Sequence, residues 1–125
     1  MQELSIEFQE CEGGGFEPGA MLRGTAAWRC DREPQRAELV LLWYTQGRGT
    51  MDSAVAARSE LPSPKRQEQR PFSFELPHAP YSFSGTLISL IWAVELILDP
   101  GGTERRTFVL APGGSEIRLP EGVEL

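Results

Sequence analysis

The feature that most constrains this chain is a period of two in its hydrophobic residues, repeated from one end to the other with no helical periodicity between. Leu4, Ile6 and Phe8 alternate with Glu3, Ser5, Glu7 and Gln9. Successive side chains of a strand point to opposite faces, so this is a strand with one buried face. Leu22, Ala26, Trp28 and Cys30 form the apolar phase of a second strand, and Phe72, Phe74 and Leu76 that of a later one. The ten prolines and thirteen glycines fall between these runs as turn punctuation.

Two segments break the alternation. From about 36 to 45, Leu39, Leu41 and Trp43 lie on one phase while Val40, Leu42 and Tyr44 lie on the other. From about 84 to 98, the longest predicted strand, Ile88, Leu90, Trp92, Val94, Leu96 and Leu98 oppose Leu87, Ser89, Ile91, Ala93, Glu95 and Ile97. Weaker strands are expected at about 50–59 and at 107–110, with a short run at Ile117 and Leu119. The segment 61–71, with three prolines and four charged residues, is expected to be an exposed loop. Seven to eight short strands in 125 residues predict one all-β domain, a two-sheet antiparallel immunoglobulin-like sandwich. The Cys–Trp–Cys pattern of true immunoglobulin domains is missing, because no cysteine follows Trp43.

Charge and cysteine content narrow the function. A formal charge of −6 argues against duplex nucleic acid as a partner, since that requires a cationic surplus to displace phosphate counterions. The start of the chain is neither basic nor apolar as a secretory leader would be, and Glu95 and Asp99 interrupt the longest apolar run before it could span a bilayer. A cytoplasmic location is therefore expected. If 3–11 and 20–30 pair as a hairpin turning near Phe16, Cys11 and Cys30 lie about 30 Å apart at ~3.3 Å per residue. A disulfide tolerates ~7 Å between Cα atoms, so two free thiols are expected under that pairing.

No residue set carries catalysis. His78 is the single histidine, with neither nucleophile nor orienting acid placed beside it, and with two cysteines it makes no zinc-ligand spacing. Gly13-Gly14-Gly15 and Gly47-Arg48-Gly49 join predicted strands, whereas a phosphate loop needs a strand-to-helix junction. Trp28, Trp43 and Trp92 fall on the apolar phases and are expected in the core; Tyr44 does not, and a sugar-stacking platform is the competing reading for the aromatics. No cofactor or metal site is expected.

The order of the turn residues resembles the arrestin-like family. Phe16-Glu17-Pro18-Gly19-Ala20-Met21-Leu22-Arg23-Gly24 is similar to that family's aromatic-x-Pro-Gly turn and following small residue. Phe72-Ser73-Phe74-Glu75-Leu76-Pro77 and Pro80-Tyr81-Ser82-Phe83-Ser84-Gly85 resemble its Phe-x-Leu-Pro segment and the Ser-x-x-Gly start of a long strand, where Trp92-Ala93-Val94-Glu95-Leu96 follows. The match covers about 3–112. It implies a non-catalytic, protein-binding adaptor or scaffold, as in arrestins, the retromer arrestin-like subunit and the bacterial sporulation-control family. Those relatives carry two such domains where one is expected here, and the polar core and lariat loop of visual arrestins have no counterpart, so their binding residues are not carried over. The alternative is a carbohydrate- or small-ligand-binding sandwich module.

Two candidate surfaces follow. If Trp43 and Trp92 point inward, Val40, Leu42, Tyr44, Leu87, Ile91 and Ala93 point outward; either they merge into an exposed apolar patch, an interface for a protein partner or for a homodimer, or the 61–71 loop or the C-terminal segment folds over them. Lys65, Arg66 and Arg70 gather on the 61–71 loop, where they could meet an acidic segment.

Overall fold

The computed structural model describes residues 2–9, 15–48, 51–85, 87–114 and 117–118. Its strands are β1 (Glu3–Phe8), β2 (Gly15–Phe16), β3 (Met21–Arg29), β4 (Arg36–Gly47), β5 (Ser53–Glu60), β6 (Gln67–Glu75), β7 (Phe83–Ser84), β8 (Ile88–Asp99), β9 (Gly102–Leu110) and β10 (Ile117–Arg118). One sheet has the order β1-β3-β6. The larger sheet runs β5-β4-β8, and the far edge of β8 is shared by β9, over Trp92–Leu98, and by β7, at Leu90. β2 and β10 add short parallel pairings to β9 and β7. The fold is the expected all-β, two-sheet sandwich.

The alternating strands bury their apolar phases between the sheets. Ile6, Leu22, Ala26, Trp28, Phe72 and Phe74 meet Leu39, Leu41, Leu90, Trp92, Val94 and Leu96 in one core. Trp92 is completely buried and its indole N–H donates to the Pro80 carbonyl at 2.8 Å; that of Trp28 donates to the Lys65 carbonyl at 2.7 Å. Each large ring thus fills volume while its one donor is satisfied at the sandwich rim. Trp43 packs against the same core but is only partly buried. Phe8, Phe16 and Phe108 close one end with edge-to-face contacts between 5.6 and 6.0 Å.

β1 and β3 pair antiparallel with Leu4 opposite Trp28 and Phe8 opposite Gly24, a register centred on residue 16 as expected. The connection is not a simple turn, however, because Gly15–Phe16 crosses to pair with β9 of the other sheet. Gly24 is required there: a Cβ would stand 2.3 Å from the Glu7 carbonyl oxygen and 2.8 Å from the Phe72 ring. At the Pro18-Gly19 turn, Ala20 N–H donates to the Glu17 carbonyl at 3.1 Å and Gly19 has φ +79°, the type II geometry that its residues predict.

Three expectations need correction. The exposed loop 61–71 is shorter, because β6 begins at Gln67 and holds Pro71 opposite Thr25, and Leu61 and Pro64 are buried. Proline is tolerated because β6 is an edge strand whose outer side needs no ladder donor. The long strand predicted over 84–98 divides into β7 and β8, leaving Leu87 exposed at a bend. The strand expected at 107–110 begins at Gly102, as the second arm of a hairpin with β8. Cys30 is a buried free thiol, while Cys11, Gly13, Gly14, Gly49 and Leu119 lie outside the described residues.

Candidate functional site

The outer face of the β4–β8 pair is where the sequence placed an apolar patch, and the facing is as expected. Leu42 stands opposite Ala93 and Tyr44 opposite Ile91, all turned away from the main core. Of the two readings, an exposed patch or a covered one, the central residues follow the second. Val40, Leu42 and Ala93 are 3%, 8% and 0% exposed and form a second apolar cluster, with Tyr44 and Ile97 packed against it. Ile91 is partly buried, and only Leu87 stands clearly in solvent.

The cover comes from long charged side chains on neighbouring strands. Register places Arg105 of β9 opposite Glu95 of β8; the guanidinium pairs with that carboxylate at 2.7 Å and lies over the Tyr44 ring at 4.8 Å. On the other flank Arg58 of β5 pairs with Glu38 of β4 at 3.3 Å. Such side chains lay aliphatic stems on apolar surface while keeping their charged ends wet. Burial lowers the affinity of Arg105 for its proton, and the Glu95 carboxylate more than compensates, leaving its pKa above the ordinary value. A shallow groove of about 300 Å³ runs between the two ion pairs, with Val40, Leu42, Val55 and Ile97 among its lining.

Arg105 and Glu95 were not singled out from the sequence, although a signal existed. The turn at Pro100-Gly101 makes 95 and 105 equidistant from the hairpin tip, so counting outward pairs them.

The basic loop is rearranged rather than assembled. Arg70 lies in β6, where its guanidinium pairs with Glu68 at 3.0 Å and donates to the Pro62 carbonyl at 2.9 Å. It closes the loop on itself and is not a cation held out for a partner. Lys65 and Arg66 stay exposed.

The remaining candidates keep their structural roles. His78 is exposed and packs over the turn, its ring 2.6 Å from where a Gly19 Cβ would be. Gly47 ends β4, and Arg48 N–H donates to the Leu87 carbonyl at 2.9 Å. With Trp28 and Trp92 buried, the tryptophans build no exposed platform. Among the described residues there is no group of three or more His, Cys, Asp or Glu side chains that could hold a metal, and no helix long and apolar enough to cross a membrane.

No protein-family model matches the sequence, and no curated protein matches it. Among solved structures the chain is similar to Spo0M, the sporulation control protein of Bacillus subtilis, with TM-score 0.64 and 17% identity over 87% of this chain and 49% of that one. A β-glucosidase of Listeria innocua aligns at TM-score 0.43 and 12% identity, covering 93% of this chain and 16% of its own. The alkylpurine DNA glycosylase AlkC of Pseudomonas fluorescens aligns at 0.40 and 10%, covering 84% and 30%. The last two superpose too loosely to carry an argument. The chain spans about half the length of Spo0M, and at this identity the likeness is one of fold: the chain has the arrestin-like fold.

Proposed function

We propose that this chain is a non-catalytic protein-binding domain of arrestin-like type, an adaptor or scaffold in the cytoplasm that docks a protein on the outer face of its larger sheet. The observation that carries the reading is the second apolar cluster, Val40, Leu42 and Ala93, lying under a roof of surface ion pairs. Exposed pairs of this kind are worth about 0–1 kcal/mol. A partner can therefore displace Arg105 and Arg58 at little cost and reach an apolar floor with a polar rim, the usual anatomy of a protein interface. Tyr44, Ile91 and Leu87 would be the contacts first met, and the exposed Lys65 and Arg66 would meet an acidic segment. The likeness in fold to a sporulation control protein supports a regulatory role of this type.

Affinity capture from the native host, with cross-linking mass spectrometry, tests the proposal. A protein should be retained through cross-links to the outer face and lost with the folded double variant Tyr44→Ala, Ile91→Glu. Retention unchanged in that variant would move the site elsewhere. Glycan binding on an array, with no protein captured, would favour the carbohydrate-binding alternative.

A further inference from the structure

The two margins of the sandwich are built differently. On one, β9 and β1 close the gap between sheets: Arg106 donates to the Ile6 carbonyl at 2.8 Å and lies 5.1 Å from the Phe8 ring centroid. On the other, among the described residues, each sheet ends in an edge strand. β6 carries Pro71 at its middle, which denies a donor to any incoming strand. β5 has no proline over its eight residues, is mostly exposed, and includes Val55 at 48% exposure with Met51 just before it at 66%.

The outward-facing groups of β5 follow from its pairing with β4. Leu61 N–H donates to the Ala37 carbonyl, and Thr45 N–H to that of Asp52, so 61 and 52 face β4. Counting by two from each, 59, 57 and 54 also face β4. Residues 53, 55, 58 and 60 therefore turn their N–H and C=O groups away. The two halves fall out of step because the register shifts between Leu41 and Leu42, leaving Ala56 as the extra residue of a bulge.

This outward pattern is a palindrome about the bulge: 53 mirrors 60, and 55 mirrors 58. A regular strand keeps strict alternation and can match only one half. A second copy of β5, turned antiparallel by a two-fold axis between Ala56 and Ala57, carries the same shift and matches both. We infer that β5 is a self-association edge, pairing with β5 of a second copy of this chain to join the larger sheets of two molecules. Ser53 then faces the second copy's Glu60, and the stem of Arg58 packs on the second copy's Val55. The interface is isologous and closes as a C2 dimer; it borders the outer face proposed for a partner protein and shares Val55 and Arg58 with it.

Sedimentation of the purified chain, from micromolar to about millimolar, tests this together with amide exchange. A concentration-dependent dimer is expected, with the amides of Ser53, Val55, Arg58 and Glu60 gaining at least about tenfold protection as it forms. Val55→Pro removes an outward donor without breaking a bond to β4, besides changing one half-exposed side chain, and should leave a folded monomer. Should that variant not fold, exchange on the unmodified chain still decides. A chain that stays monomeric throughout, a dimer that survives in folded Val55→Pro, or dimerisation without added protection at those four amides would each overturn the inference.

Discussion

The two faces of the β4–β8 pair both carry apolar residues at their centres and are sealed in unlike ways. The inner face, with Leu39, Leu41, Trp92, Val94 and Leu96, is covered by a second sheet whose Ile6, Leu22, Trp28 and Phe74 interdigitate with it. The outer face, with Val40, Leu42 and Ala93, is covered by single side chains reaching across from β5 and β9. A layer of packed side chains can be removed only by unfolding. A layer of arginine stems can be moved by rotating a few torsions. Apolar side chains are therefore fixed core on one side and lie under a movable layer on the other.

Substitutions on each face sharpen or break that contrast. Trp92→Ala, on the inner face, should cost about 3–5 kcal/mol and be read as a loss of most of the unfolding transition; a melting point within a few degrees of the parent would place Trp92 outside the core. Leu42→Glu, on the outer face, should cost about 2–4 kcal/mol, since it replaces a packed leucine with a carboxylate inside the apolar cluster. If chemical denaturation finds it neutral, the outer cluster is not sealed. Arg105→Ala should cost about 1 kcal/mol or less while increasing the binding of a dye specific for exposed apolar surface. No gain in dye binding would mean the stem covers nothing.

The smallest effect concerns Cys30, at the rim of the inner layer. Burial, with the Asp31 carboxylate nearby, pushes its thiol pKa up. The unfolded chain then loses this proton first as pH rises, so stability attributable to Cys30 is present below the ordinary thiol value of about 8.5 and declines above it. Cys30→Ala should flatten that alkaline decline in denaturation measurements at pH 7 and pH 10; an unchanged slope would assign it to other groups.

Much of this was legible in the residues, and the misses have specific causes. Alternation located the strands, and the facing of Leu41 against Leu42 and of Trp92 against Ala93 followed directly. Exposure did not follow, because alternation tells which side a residue faces and not what a neighbouring strand lays over it. Arg70 resembled a loop cation because Pro71 beside it suggested a break, yet an edge strand accepts proline on its open side. The second half of the candidate surface, Arg105 and Glu95, was reachable only through hairpin counting.

The sequence by itself determined the fold class, the segregation of Trp92 and Trp28 into one core, and the type II turn at Pro18-Gly19, since each depends on local sterics or on the two-residue period. The tertiary structure alone decided that β2 crosses to β9, that Val40 and Leu42 are covered, and that β5 is an edge strand with a bulge among the described residues. Those outcomes depend on which strands become neighbours and in what register. Such pairing is set by contacts between residues far apart in the chain, where no local pattern records it.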